Sequence, residues 1–281
     1  MPTLYMIIAT AFWGGSFLLA KLALQNIHVT AFLFLRFAVA TLSMLPSLVL
    51  YRVPFKQQTV IQGIKLGLLQ VGIMFLQTLG LKTISPSLSA FLTGFFIVFV
   101  LFIRFIMHRE IPSFVDILSS LTCLAGLALL THSYGLGWEA GVLYTLGCAF
   151  FLALHTYVLD KYSPASSTTM LTFMQMLTLA TFAGVVSFLP GNGIQLPTQL
   201  ASWGAVLFCS IFGSSVAFWL QACAQQHLGA FKVSMILMLE PVFATMLTCW
   251  VLGEKLYMQS YIGVAMIIGS ITVINTRLKT I

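Results

Sequence analysis

The chain has 281 residues, 59% of them hydrophobic and 7% charged, with a mean hydropathy of +1.02. Soluble domains carry about 25% charged residues, so the composition excludes a soluble protein and describes one that sits in a bilayer. The net charge of +7 is spread singly between apolar runs; with no basic patch it excludes a nucleic-acid binder and leaves the cations to orient membrane spans.

A helix needs about 20 apolar residues to cross the hydrocarbon core. By that rule ten spans are expected, near 4–24, 30–50, 60–80, 86–107, 112–131, 141–160, 168–189, 203–224, 231–252 and 257–276. The first run, "MPTLYMIIATAFWGGSFLLAKLAL", has no positive segment ahead of it and is expected to be an uncleaved span. The connections, such as "YRVPFKQQ", "HREIPS" and "DKYSPASS", are short and rich in turn residues, and none is long enough for a soluble domain. Five cysteines lie inside apolar runs without metal-ligand spacing, so neither a metal site nor a cofactor is expected.

The cations choose an orientation. With the N-terminus inside, Arg52, Lys56, Lys65, Arg104, Arg109, Lys161, Lys232, Arg277 and Lys279 fall on the inner side, and Lys21, Lys82 and Lys255 on the outer. That bias places both termini in the cytoplasm.

The two halves share a layout. A shift of 144 residues superposes Val98 on Val242, Phe99 on Phe243 and Glu110 on Glu254, and a shift of 138 superposes "TAFWGGSF" on "CAFFLALH". Five spans per half is an odd number, so the second half would enter the membrane from the opposite side. Inverted repeats of this kind are the architecture of many carriers that alternate access around a midplane site. The expected units are residues 1–134 and 135–281.

"AFWGGSFLLAKLAL", "FLFLRFAVATL", "GLKTISPSLSAFL" and "LEPVFATMLTCWVLGEKLYMQSYIGVAMIIGSITVI" resemble the drug/metabolite transporter superfamily, in its EamA-type branch. The likeness spans essentially the whole chain. Its most specific block joins Glu240-Pro241 to the Gly253-Glu254 turn and Gly263; the first half has Phe96 and Ile97 where the second has the Glu-Pro pair. The resemblance implies an all-α membrane protein of ten helices in two inverted five-helix repeats. It also implies a central cavity lined mainly by spans 1, 3, 4, 6, 8 and 9, and residence in the plasma membrane, a bacterial inner membrane. The expected partners are a small organic cargo, with or without protons, and the bilayer, for a monomer or homodimer.

Ionisable groups at bilayer depth cost about 2.5–3.5 kcal/mol each on insertion scales, so each is a functional candidate. Three are interior: Arg36, His155 and Glu240. Glu240 has only apolar helical neighbours, and two readings stay open. It handles a proton or a cationic cargo, or it serves the carbonyl that Pro241 frees one turn earlier. His155 shares a helix face with Tyr144 and could look into the same cavity as Glu240, or be bonded within the packed bundle. Arg36 sits on a small-residue face with Ala40, Ser43 and Ser47, which reads as a packing surface and a structural role.

Two uncharged polar stripes complete the candidates. Ser210, Ser214, Gln221 and Gln225 in span 8 fall within about 60° at helical spacing, and Gln70 and Gln77 share a face of span 3. Both stripes are read as cavity lining. Trp13 and Trp219 lie deep enough to offer ring faces to a cargo. Pro241, Gly253 and Glu254 are read as structural.

The leading expectation is a carrier of amino acids or related metabolites, working as an exporter. The alternative is an uptake carrier for a nucleotide derivative, a vitamin or a quaternary amine. No G-x-x-x-x-G-K-[ST] loop is present for ATP. A membrane-embedded enzyme would need converging nucleophile, base or metal ligands, which one deep glutamate and one deep histidine do not supply.

Overall fold

The computed structural model describes residues 1–109, 111–131, 140–189, 196–252 and 257–277. Glu110, Gly253, Glu254, Lys255 and Lys279 lie outside the described residues. Within them the chain forms ten helices long and apolar enough to cross a bilayer. They are span 1 (Pro2–Ala23), span 2 (Val29–Leu50), span 3 (Gln57–Thr83), span 4 (Pro86–Gly94 and Phe96–His108), span 5 (Phe114–Thr131), span 6 (Ala140–Tyr162), span 7 (Thr168–Ser187), span 8 (Leu200–Gln225), span 9 (Ala230–Leu237 and Glu240–Leu252) and span 10 (Met258–Arg277). Every end lies within three residues of its expected position. An apolar run in a bilayer must satisfy its backbone internally, and a helix does so within one segment.

Local chemistry sets the starts. Span 4 begins with Ser85 accepting a hydrogen bond from the Leu88 amide at 3.2 Å, with Pro86 in the first turn. Span 7 begins with Ser167 accepting one from the Met170 amide at 3.4 Å. Both are N-caps that replace the missing intrahelical acceptor.

Three spans are irregular. Span 4 breaks at Phe95 and span 9 at Met238–Leu239, each through tight turns: Phe95 N donates to Leu92 O at 3.1 Å, and Leu239 N to Ile236 O at 3.0 Å. Span 8 carries a π-helical segment, Ile211–Val216, at its middle. Such segments insert an extra residue and concentrate at functional sites.

Span 2 packs on span 7 and span 5 on span 10; span 1 lies against spans 8 and 9, span 3 against spans 6 and 7, span 4 against span 6 and span 2 against span 8. Spans 5 and 10 cross where two glycines meet, and a Cβ on Gly126 would stand 2.7 Å from the Gly263 carbonyl oxygen. Spans 1 and 9 are equally close: a Cβ on Gly14 would stand 2.8 Å from the Glu240 carbonyl oxygen. Small residues allow backbones to approach this way where lipid offers no hydrophobic drive to associate. An even number of spans brings both ends of the bundle's chain to one side, called here the terminal end; the other is the distal end.

Candidate functional site

A cavity of about 50 Å³ lies in the middle of the bundle. By the same measure a water molecule needs about 10–15 Å³, so this conformation holds a few waters and no metabolite. Its walls come from span 1 (Trp13, Ser16, Phe17, Ala20), span 3 (Ile73, Met74, Gln77, Thr78, Leu81), and single or paired residues of spans 2, 4, 6, 8 and 9. Leu81 and Ala20 carry it towards the distal end, where Lys21 Nζ donates to the carbonyls of Leu81 and Ile84 and ties span 1 to the end of span 3.

Arg36 is the first correction to the sequence reading. Span 2 was expected outside the cavity, yet Arg36 lines it. The small-residue face does pack, against the π-helical segment: Ser215 Oγ donates to Ala40 O at 2.9 Å and shares a 2.7 Å bond with Ser43 Oγ. The long Arg36 side chain then runs along that segment. Its Nε donates to Ser214 Oγ at 2.9 Å and its Nη2 to Gly213 O at 3.2 Å, while Trp13 Nε1 donates to the same carbonyl at 3.0 Å. Gly213 O, inside the π-helical segment, thus takes two donors from other spans. Nη1 makes no hydrogen bond among the described residues.

Glu240 opens the second segment of span 9 and lines the same cavity as Arg36. It is half-buried, and among the described residues its carboxylate makes no hydrogen bond or ion pair within 4.0 Å. It therefore does not clamp the Leu237 carbonyl that Pro241 releases. Arg36 and Glu240 thus face one cavity from spans 2 and 9. Pro241 is buried beside a void of about 10 Å³ that Phe96 of span 4 also lines.

The other candidates divide. Trp13 and Gln77 line the cavity, and Trp13 packs on Phe218 with ring centroids 5.0 Å apart. Ser214 is buried as the acceptor for Arg36. His155 does not share the cavity with Glu240; it is fully buried, with Nε2 bonded to Gln175 Oε1 at 2.8 Å. Gln70 and Gln221 are also fully buried and outside the lining. Tyr144 is exposed on the outer surface of span 6. Trp219 is exposed too, bonding Thr169 Oγ1 at 3.2 Å and lining a separate cleft of about 430 Å³ between spans 2, 7 and 8. That cleft is wider than the central cavity but has no charged side chain. None of the four residues of the span 8 stripe is in the cavity lining, and the residue added by the π-helical segment turns Gln221 and Gln225 by about 100° relative to Ser210. Its sequence signal was the Gly213-Ser214-Ser215 run.

Ten spans around an interior cavity lined by Arg36 and Glu240 describe a multi-pass membrane protein. The family model described as "EamA-like transporter family" matches residues 1–132 and 139–276, and the chain belongs to that family. A relative from Archaeoglobus fulgidus, described as an uncharacterized transporter, is 27% identical over 266 residues, covering 94% of this chain and 82% of that one. A solved protein, titled only as the crystal structure of a protein, has the same fold: TM-score 0.81 and 17% identity, over 99% of this chain and 98% of that one.

Proposed function

We propose that the protein is an alternating-access carrier for a small zwitterionic metabolite of the amino-acid type, driven by the cargo's own gradient or by protons. One observation carries this: a single cavity holds one guanidinium and one carboxylate, Arg36 and Glu240, that do not neutralise each other by direct contact. A zwitterion bridges such a pair, its carboxylate on the free edge of Arg36 and its ammonium on Glu240. Ile73, Met74, Leu152 and Leu237 would take a short side chain. A quaternary amine would meet Arg36 unpaired, and a nucleotide derivative would press phosphates on Glu240, so charge complementarity disfavours both. For a cargo more concentrated inside than out, net flow is export.

Residues 1–134 and 135–281 act in this reading as inverted repeats. In support, replacing each span by the one five further along maps the 1–8 pairing onto 6–3, 1–9 onto 6–4, and 2–8 onto 7–3. The 2–7 and 5–10 pairings map onto themselves. The terminal end is cytoplasmic and the bilayer is the plasma membrane, in line with the bias of Lys and Arg to that end. The test is uptake by reconstituted protein from a panel of amino acids, nucleotides, vitamins and quaternary amines. Uptake of amino acids alone is expected; uptake confined to another class overturns the reading. If protons are coupled through Glu240, Glu240→Gln flattens the pH profile of transport, and an unchanged profile removes that role.

A further inference from the structure

Met74, Leu152, Phe218 and Leu237 are apolar residues of the cavity lining on spans 3, 6, 8 and 9. One helical turn further towards the terminal end, each of those four spans carries a polar residue: Gln70 below Met74, His155 below Leu152, Gln221 below Phe218 and Ser234 below Leu237. All four are fully buried, and Ser234 is satisfied within its own helix by the Ala230 carbonyl at 2.8 Å. Phe218 joins the two levels, with its ring 5.0 Å from Trp13 in the cavity and 6.3 Å from His155 beneath it.

The lower level is short of partners. Both amide atoms of Gln70, both of Gln221 and Nδ1 of His155 have no protein hydrogen-bond partner among the described residues, nor have Thr156 Oγ1 and Gln225 Oε1. Buried polar groups are almost always paired, and an amide left alone in an apolar interior is costly. Part of this polarity ties helices together, as His155 does to Gln175 and Gln225 Nε2 does to the Thr156 carbonyl. The amides of Gln70 and Gln221 tie nothing among the described residues, and leucine would pack better in their place.

We infer that Gln70, His155 and Gln221 form a second binding level for the cargo, on the cytoplasmic half of its path, closed off from the charged cavity by a gate centred on Phe218. This rests on the reading of the protein as a carrier of zwitterions. The chemistry suits a release site: amides and an imidazole both donate and accept, so they solvate an ammonium and a carboxylate without a fixed countercharge to hold them. The upper pair binds by charge, and the lower level replaces water around the cargo as it leaves.

The test is cysteine accessibility, which needs no knowledge of the cargo. Gln221→Cys and Gln70→Cys are placed singly in full-length protein whose five native cysteines are replaced, in sealed vesicles of defined orientation. A charged, membrane-impermeant methanethiosulfonate is added to the cytoplasmic face. Both positions are expected to label from that face, and Phe218→Ala is expected to open them to labelling from the opposite face at least tenfold faster. Absence of labelling from either face, with full labelling after denaturation, overturns the inference. If the cysteine-free background does not fold, the double variant Gln70→Leu, Gln221→Leu serves in the native background. It should melt at a higher temperature and transport at least tenfold more slowly; unchanged transport overturns the inference. Labelling without amino-acid uptake keeps the path and removes the zwitterion reading.

Discussion

Spans 4 and 9 bend at the same place and carry different chemistry. The second helical segment starts at Phe96 in span 4 and at Glu240 in span 9, which are 144 residues apart, the shift that aligns the two halves. Both breaks are tight turns of the same kind, yet span 4 makes its break without a proline or a carboxylate. Phe96 and Ile97 are buried core residues there. A bend at this position can therefore form without a carboxylate or a proline. In the proposed reading Pro241 reinforces a bend that packing sets, and Glu240, which has no hydrogen bond or ion pair among the described residues, serves the cavity.

The largest expected effect is at Glu240. A hydrogen bond to a charged group contributes about 1.5–3 kcal/mol, so Glu240→Gln should lower transport efficiency about 10- to 100-fold. Its unfolding temperature should hold or rise, because an ionisable group at bilayer depth is removed. A fall in stability comparable to the fall in transport would return Glu240 to a structural role. Arg36→Lys should weaken transport to a similar degree and also lower the unfolding temperature, since a lysine cannot serve Ser214 and Gly213 together. Gly14→Val tests the close approach of spans 1 and 9. It should destabilise by about 1–3 kcal/mol, as overpacking does, measured by thermal unfolding in detergent. Pro241→Ala should be the mildest, with the bend retained and transport within about threefold, a change under about 0.7 kcal/mol. A larger loss would mean that span 9, unlike span 4, depends on its proline for the bend.

The spans were legible because an apolar run of about 20 residues allows few other outcomes in a bilayer. Glu240 was legible because it stands alone among apolar neighbours. Arg36 was half legible: its small-residue face meets the π-helical segment through Ala40 and Ser43, but the reach of a guanidinium past that surface depends on the helix it meets. The π-helical segment hid the rest. Reading span 8 at 3.6 residues per turn placed Ser214 and Gln221 on one wall, whereas the extra residue sends Ser214 to Arg36 and Gln221 to the buried polar level. Pattern arguments assume a constant period, and they fail where a helix gains a residue.

The central claim is that Arg36 and Glu240 read the two charges of one cargo. The direct measurement is competition by matched sets in proteoliposomes: L-alanine, L-threonine and L-leucine, each against the amine lacking its carboxylate and the acid lacking its ammonium. The account predicts that only the zwitterions compete in the native protein, and that Glu240→Gln narrows the gap between each zwitterion and its matched acid. Amines or acids competing as well as the parent amino acids would contradict it.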